Sequence, residues 1–307
     1  LVGLANLNPD LQPIVDLTPF AYFQGGEALV DMNWGWAVGL IVAGFVLAAA
    51  AWALFLRRDI RANRLPARVI ATTERRAALA GADYIFNTAR VGGLEAFRLD
   101  IDIPLRYGVD QCVGDTLCAG GIMYGQRGIA CMLDWCRDIR EVAGPEALLL
   151  NYGNPNAMLT WAANAHGQVR AIGLYHGVQG GHWQICKVIE HLLNRGRKPG
   201  AKGFRAVTPA EVDIVCAGIN HQTWYIKVRY RGEDWTGRLP EGFATHPEYS
   251  RTEKVRIDIM RRFGYFSTES NGHLSEYLPW YRKRPEELAA WIDTSSWIHG
   301  ETGGYLR

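Results

Sequence analysis

Residues 147–155 read Ala-Leu-Leu-Leu-Asn-Tyr-Gly-Asn-Pro, a short apolar run that ends in polar and turn-forming residues. A run of this length, stopped by Gly153 and Pro155, is typical of a buried strand in a parallel sheet. Residues 82–88 (Ala-Asp-Tyr-Ile-Phe-Asn-Thr) and 171–175 (Ala-Ile-Gly-Leu-Tyr) repeat the pattern. Strands of this kind that alternate with helical stretches predict an α/β fold.

The stretch between the first two strands has helical periodicity. In residues 122–142, the apolar residues Met132, Trp135, Cys136 and Ile139 recur at the spacing of one helix face. Because ligands of open α/β sheets bind at the carboxyl ends of the strands, we expect the polar residues that follow each strand to line a site.

Composition excludes several classes of protein. The 307 residues include 33 Lys and Arg against 31 Asp and Glu, and 48% are hydrophobic. The chain is therefore neither disordered nor a strongly basic nucleic-acid binder, and we expect no nucleic-acid partner.

The first 56 residues differ from the rest, since they contain no Lys or Arg. Residues 36–56 carry no charge, and 21 helical residues would span about 30 Å, the thickness of a bilayer core. Arg57 and Arg58 follow, which predicts an inner-membrane helix with the remainder of the chain in the cytoplasm. A buried, alanine-rich core helix is the alternative.

No Gly-x-Gly occurs in the chain, so the glycine-rich turn of a complete dinucleotide-binding fold is absent.

Two further features of the sequence suggest a metal, acid–base or sugar-binding site. His221 lies in a loop beside Asn220 and before the β-prone residues 224–228, as a metal ligand or acid–base group would, although an ordinary hydrogen-bonded histidine also fits. Residues 269–281 are dense in acidic and aromatic side chains, which suits a sugar or, alternatively, a packed helix–loop junction.

A series of motifs runs in order along the body of the chain: Asn87-Thr-Ala-Arg90, Gly114-Asp115-Thr116, Asn151-Tyr-Gly-Asn154-Pro155, Gly173-Leu-Tyr-His176, Gly218-Ile-Asn220-His221 and Phe263-Gly-Tyr-Phe-Ser-Thr-Glu269. From about residue 67 to 307 the chain resembles glycoside hydrolase family 4, most closely the α-galactosidase and α-glucosidase branch, with uronic-acid glycosidases nearby. Residues 1–62 resemble the C-terminal tail of an ABC-2 type transporter permease.

The resemblance implies an unusual glycosidase chemistry that departs from the paired-carboxylate mechanism. NAD⁺ oxidises the sugar 3-hydroxyl, a base removes the acidified proton at C2, and the glycosidic oxygen leaves by elimination. A divalent ion, typically Mn²⁺, stabilises the developing charge. The implied partner is an α-glycoside, with an α-galactoside favoured, and family members usually form homo-oligomers.

The resemblance also implies roles for individual residues. His176 falls where the family places a candidate acid, Asp115 is a carboxylate near the sugar, and Tyr277 is the best match for the base, ahead of Tyr281. The remaining roles are as follows: Asn154, His176 and Glu276 bind substrate; Asn87, Thr88, Arg90 and Asn151 approach NAD; His221 binds the metal, and Tyr175 stands where the family has its cysteine ligand.

The resemblance implies an incomplete, NAD-binding Rossmann-like parallel sheet in residues 63–180 and a truncated α+β substrate and metal domain in residues 181–307. The first βαβ unit of the family and part of its C-terminal region have no counterpart here, so we expect a family member truncated at both ends with little or no turnover. The alternative is a non-catalytic domain anchored to a membrane by a permease tail.

Overall fold

The computed structural model describes residues 69–294 and 299–306. From Thr72 onward the chain forms one compact unit. The permease-like segment predicted for residues 1–62, including the apolar run 36–56, lies outside the described residues. Within the described part, no helix is long and apolar enough to cross a bilayer.

The three predicted strands form a parallel sheet in the order β1-β2-β3. β1 spans Tyr84–Asn87, β2 spans Leu148–Asn151 and β3 spans Arg170–Gly173. The final residues of the three strands lie opposite one another in the register, so all three carboxyl ends meet at one edge of the sheet. The predicted α/β fold with a parallel sheet is confirmed.

Helices alternate with these strands: α1 (Arg75–Leu79), α2 (Gly93–Arg106), α3 (Cys118–Val142), α4 (Asn156–Ala165) and α5 (Gly177–Asn194). The helix predicted over residues 122–142 lies within α3. Met132, Cys136 and Ile139 are buried against Leu149 of β2 and Leu159 of α4, as their spacing predicts, and Trp135 is partly buried at the edge of the same core.

Only one face of the parallel sheet is covered by described residues. Ile85 and Ala171 turn toward the core of α3 and α4. On the opposite face, Tyr84, Phe86 and Ile172 are 74%, 58% and 50% exposed. The expectation that these strands are buried therefore holds on the helix side and is wrong for the other side, because the described helices pack on one face.

The second half of the unit is built on an antiparallel sheet. It contains β4 (Val212–Ile219), β5 (Gln222–Tyr230), β6 (Glu233–Asp234) and β7 (Phe266–Ser267), with β5 paired to each of the other three. The helices here are α6 (Leu239–Thr245), α7 (Tyr249–Thr252), α8 (Lys254–Phe263), α9 (Asn271–Tyr277) and α10 (Pro285–Trp291).

The predicted domain boundary near residue 180 falls inside α5. Ile185, Val188 and Ile189 of this helix are buried in a core with Tyr225 and Val228 of β5. α5 thus follows the parallel sheet directly and supplies part of the core of the antiparallel sheet, and the two-domain division stays a prediction.

Candidate active site

A cavity of about 470 Å³ opens at the carboxyl ends of the parallel strands and is closed on its other side by the β4–β5 turn and the segment after β7. Of the residues predicted for the site, Thr88, Arg90, Asp115, Asn154, Tyr175, His176 and His221 line this cavity. Asn87, Asn151, Glu276 and Tyr277 are not among its lining residues.

Asp115 lies at the base of the cavity and is 1% exposed. Its Oδ2 atom is 2.8 Å from Nη2 of Arg90, and its Oδ1 atom accepts a 2.8 Å hydrogen bond from the Thr116 hydroxyl. The Asn154 amide nitrogen lies 3.3 Å from both carboxylate oxygens. Both oxygens of Asp115 are therefore occupied, which suits a group that holds Arg90 and Asn154 in place.

Asn87 and Asn151 end neighbouring strands, and their side chains bond to each other instead of turning into the cavity. Asn87 Nδ2 donates to Asn151 Oδ1 at 2.8 Å, and Asn151 Nδ2 donates to Thr160 Oγ1 at 3.1 Å. In this arrangement Asn87 and Asn151 hold the ends of β1 and β2 together. Thr88 and Arg90, which follow β1, line the cavity. A direct NAD contact by Asn87 and Asn151 stays a prediction.

The segment between β3 and α5 brings Tyr175 and His176 to the cavity wall. His176 precedes the first residue of α5, and its exposed ring stacks on Tyr175 with 4.9 Å between ring centroids. The Tyr175 hydroxyl donates a 3.0 Å hydrogen bond to Oε2 of Glu269. Burial and the adjacent Glu269 carboxylate raise the pKa of Tyr175, so its phenol stays protonated.

His221 occupies the second position of the two-residue turn that joins β4 to β5, with a left-handed φ of 64°. Its side chain is 1% exposed, and Nδ1 lies 2.5 Å from Oδ1 of Asn220. An amide oxygen only accepts, so Nδ1 carries the proton and Nε2 keeps its lone pair. Burial, with lesser contributions from His273 and His176, holds the pKa of His221 well below its usual value, so the ring is neutral.

Glu269 and His273 complete a cluster with His221, in which one ligand atom of each residue lies within 4.8 Å of the others. Glu269 is 2% exposed, and burial raises its pKa to about 7. Its Oε1 atom has no hydrogen-bond partner among the described residues. Burial also lowers the pKa of His273 to about 4. Two neutral imidazoles and a carboxylate with a spare oxygen are a donor set that fits a divalent cation.

A second arginine reaches the cavity from α8. Arg256 is 2% exposed, lies 3.0 Å from the Glu253 carboxylate and donates a 2.6 Å hydrogen bond to Gln184 Oε1. Its guanidinium also lies 3.9 Å from the centre of the Phe266 ring. Like Arg90, it is held by a carboxylate.

Glu276 and Tyr277 line a smaller neighbouring cavity of about 260 Å³. Glu276 accepts the backbone N–H of Val113 at 2.8 Å, which ties α9 to the loop before Asp115. The buried Tyr277 hydroxyl has no partner among the described residues, and burial raises the pKa of Tyr277 well above its usual value. Tyr281, the second candidate for the base, donates a 2.7 Å hydrogen bond to Asp258 and is likewise absent from the lining of the main cavity.

Comparison with known families identifies this arrangement. Residues 51–191 match the family described as family 4 glycosyl hydrolase, and residues 216–303 match the family 4 glycosyl hydrolase C-terminal domain. The chain belongs to glycosyl hydrolase family 4. The predicted family resemblance is confirmed, whereas the permease resemblance of residues 1–62 stays a prediction.

Two family 4 relatives illustrate the range of substrates. The chain is 58% identical to an alpha-galactosidase of Rhizobium meliloti over 253 residues, which are 82% of this chain and 48% of the relative. It is 28% identical to an alpha-galacturonidase of Thermoanaerobacterium saccharolyticum, covering 80% of this chain and 54% of the relative. The chain thus spans about half the length of these family 4 proteins.

Solved structures share the fold. The lplD protein of Bacillus subtilis superposes with a TM-score of 0.60 at 27% identity, covering 72% of this chain and 52% of that one. The 6-phospho-beta-glucosidase of Thermotoga maritima, solved with manganese, NAD⁺ and glucose-6-phosphate, gives a TM-score of 0.52 at 20% identity. It covers 71% of this chain and 46% of that chain.

Sequence reasoning noted Glu269 and His273 as members of a polar cluster but gave neither a role in the family 4 site. The available signal was the Glu-Ser-x-x-His sequence, because a serine at this position predicts a helix N-cap, which brings the residue before the cap close to the first turn. Arg256 and Glu253 gave no comparable signal, since an Arg three residues after a Glu on a helix is usually a surface pair.

Proposed function

We propose that this chain acts on a neutral α-galactoside by the NAD- and Mn²⁺-dependent route of its family. The 58% identity to an alpha-galactosidase supports this substrate class. The observation that carries the proposal is the charge balance of the cavity.

Both arginines that line the cavity are paired with buried carboxylates. Arg90 lies 2.8 Å from Asp115, and Arg256 lies 3.0 Å from Glu253. Glu269 adds a further carboxyl group to the wall. Nε of Arg256 has no hydrogen-bond partner among the described residues, but the positive charge of each guanidinium is balanced by a carboxylate. Recognition of a sugar phosphate or uronate normally uses an arginine whose charge is not balanced in this way. The cavity therefore favours an uncharged hexose over a 6-phosphate or a galacturonide.

The residues of the cavity have separate roles in the proposed reaction. Asp115 fixes Asn154, whose amide would bind sugar hydroxyls, and fixes Arg90 next to Thr88 at the side where the nicotinamide would lie. His176 stands at the exposed end of α5, where its ring can pass a proton to a leaving oxygen. When bound, NAD⁺ would supply the hydride acceptor and the divalent ion the positive charge that this chemistry needs.

The proposed route also needs a base that removes the C2 proton. Tyr277 remains the residue implied by the resemblance, yet its hydroxyl is buried in α9 beside the smaller cavity. A phenol with a raised pKa needs a nearby positive charge to act as a base. The Tyr277 ring lies 6.0 Å from that of His273, which lines the main cavity.

The charge argument is tested by sugar binding. Calorimetric titration of this chain with galactose, galacturonate and galactose 6-phosphate, in the presence of NAD⁺ and Mn²⁺, should give at least about tenfold tighter binding of galactose. That ratio corresponds to about 1.4 kcal/mol. Tighter binding of either anionic sugar, or no binding of galactose, would contradict the proposal.

Turnover provides the second measurement. p-Nitrophenyl α-galactoside should be cleaved, if slowly, only when NAD⁺ and Mn²⁺ are both present, and the β-anomer serves as the matched control. In D₂O the released galactose should carry deuterium at C2, because the route removes and returns that proton. Cleavage that survives removal of NAD⁺ and the metal, without C2 exchange, would point to an ordinary hydrolysis.

A further inference from the structure

The position that carries a cysteine ligand in the family is Tyr175 here, and the cavity contains another donor set beside it. We propose that His221, Glu269 and His273 are the protein ligands of the divalent cation in this chain, and that Tyr175 positions Glu269 without binding the ion. This inference rests on the proposed function, since that function needs a divalent cation.

The geometry at Tyr175 argues against its being a ligand. Its hydroxyl donates its hydrogen to Oε2 of Glu269 at 3.0 Å. A neutral phenol that donates to a carboxylate is a weak ligand for a divalent ion, whereas the carboxylate it contacts is a strong one. Tyr175 therefore fixes the orientation of the Glu269 carboxylate, as hydrogen-bonding partners of metal-binding carboxylates do.

The imidazole rings of His221 and His273 are also oriented by hydrogen bonds. Asn220 accepts the Nδ1 proton of His221 at 2.5 Å, which leaves the lone pair of Nε2 for a metal ion. Nε2 lies 3.8 Å from Oε2 of Glu269 and 3.5 Å from the Thr116 hydroxyl, which donates to Asp115. The separation from Glu269 exceeds a hydrogen bond, so the His221 and Glu269 side chains lie close together without bonding to each other. The Ser270 hydroxyl lies 2.7 Å from Nδ1 of His273 and can hold this ring through the same nitrogen.

Glu269 itself carries an unexplained feature that a cation would account for. It is 2% exposed, and its Oε1 atom lacks a hydrogen-bond partner among the described residues. A buried carboxyl oxygen without a partner is costly, and coordination of a metal removes that cost. Two imidazoles and one carboxylate leave coordination positions open toward the cavity, where Asn154 and His176 lie.

The test measures Mn²⁺ affinity directly, without sugar or NAD⁺, by the loss of the free-ion signal in electron paramagnetic resonance. The full chain should bind one Mn²⁺. Glu269→Gln and His273→Gln should each weaken binding by more than about 100-fold, because each removes a ligand. Tyr175→Phe should weaken binding by only about tenfold, as expected for loss of an orienting hydrogen bond.

His191→Gln is the matched control, because it removes a histidine of α5 that does not line the cavity, and its Mn²⁺ affinity should stay within twofold. Circular dichroism and thermal unfolding check that each variant folds. Strong loss of affinity in Tyr175→Phe with little change in Glu269→Gln and His273→Gln would overturn the assignment. So would the absence of any Mn²⁺ binding by the folded wild-type chain.

These outcomes separate the ligand assignment from the proposed function. If the three residues govern Mn²⁺ affinity but α-galactosides are neither bound nor cleaved, the assignment stands and the function fails. If cleavage needs Mn²⁺ but its Mn²⁺ dependence is unchanged in the His273→Gln variant, the function stands and the assignment fails.

Discussion

At the scale of single residues, Asp115 shows how one buried carboxylate can hold several side chains of a cavity in place. Arg90, Thr116 and Asn154 occupy both of its oxygens, and Asp115 is 1% exposed. The ion pair cancels the charge of Arg90 inside the cavity. In the proposed function, selection between a neutral and an anionic sugar then depends on whether the charge of Arg90 is available to bind the anion.

Asp115→Asn should therefore shift the preference of the cavity toward anionic sugars. The change frees the positive charge of Arg90, so the ratio of galacturonate affinity to galactose affinity should rise about tenfold, or about 1.4 kcal/mol. Calorimetric titration of both sugars measures the ratio, and Asp213→Asn, an exposed acid on β4, is the control. An unchanged ratio in a folded Asp115→Asn chain would show that Arg90 does not meet the sugar.

At the scale of secondary-structure elements, α9 connects the site to the fold. Ser270 caps this helix by accepting the backbone N–H of His273 at 3.2 Å, and the same hydroxyl lies 2.7 Å from the His273 ring. The Ser270 side chain therefore both caps α9 and orients the His273 ring, which lines the cavity.

Ser270→Ala should lower the free energy of unfolding by about 1 kcal/mol, the usual effect of losing an N-cap. Ser270→Asp should restore most of that stability, because aspartate is an equally good cap. Urea unfolding of the three proteins provides the measurement. Equal stability of wild type and Ser270→Ala would mean that water replaces the cap without loss.

Charge also fixes α1 to α3. Asp138 on α3 accepts 2.7 Å hydrogen bonds from Arg76 and from Arg75, and the bond from Arg76 is the main cause that lowers the pKa of Asp138. A lowered pKa in the folded state stabilises the fold above the pKa of the unfolded chain. That stability is lost as the pH falls through the folded-state pKa.

Asp138→Asn should accordingly lower the urea midpoint at pH 7, and the difference from wild type should shrink below about pH 4. Asp134→Asn is the matched control, since Asp134 also bonds Arg75 but its side chain is 38% exposed, so its effect should be smaller. A difference between wild type and Asp138→Asn that is constant from pH 7 to pH 3 would contradict the role of the ionised carboxylate.

The elements themselves were largely predictable from sequence, because short apolar runs closed by Asn, Gly or Pro specify β1 to β3 and helical spacing specifies α3. The contacts between elements were not. Nothing in the sequence says that the parallel register brings the amides of Asn87 and Asn151 within 2.8 Å, where they satisfy each other. Nor does the spacing of residues in α9 say which of its side chains faces the cavity, since packing against the loop before Asp115 sets that orientation.

At the scale of the whole unit, the site joins the two sheets. Asp115, Asn154 and His176 come from the region of the parallel sheet, whereas His221, Glu269 and His273 come from the region of the antiparallel sheet. A ligand that contacts both groups binds the folded unit and has no comparable site in the unfolded chain. Binding should then appear as added stability of the unit as a whole.

Mn²⁺ at about 100 times its dissociation constant should raise the free energy of unfolding by about 2.7 kcal/mol. The gain should fall to about 0.4 kcal/mol or less in Glu269→Gln at the same Mn²⁺ concentration, because Mn²⁺ affinity is at least about 100-fold weaker, and it should remain in His191→Gln. Urea unfolding followed by tryptophan fluorescence and by far-ultraviolet circular dichroism measures the gain with two probes. Coincident shifts of both unfolding curves would show that one cooperative unit carries the site. A shift confined to one probe would show that the two sheets unfold separately and that the ion stabilises only one of them.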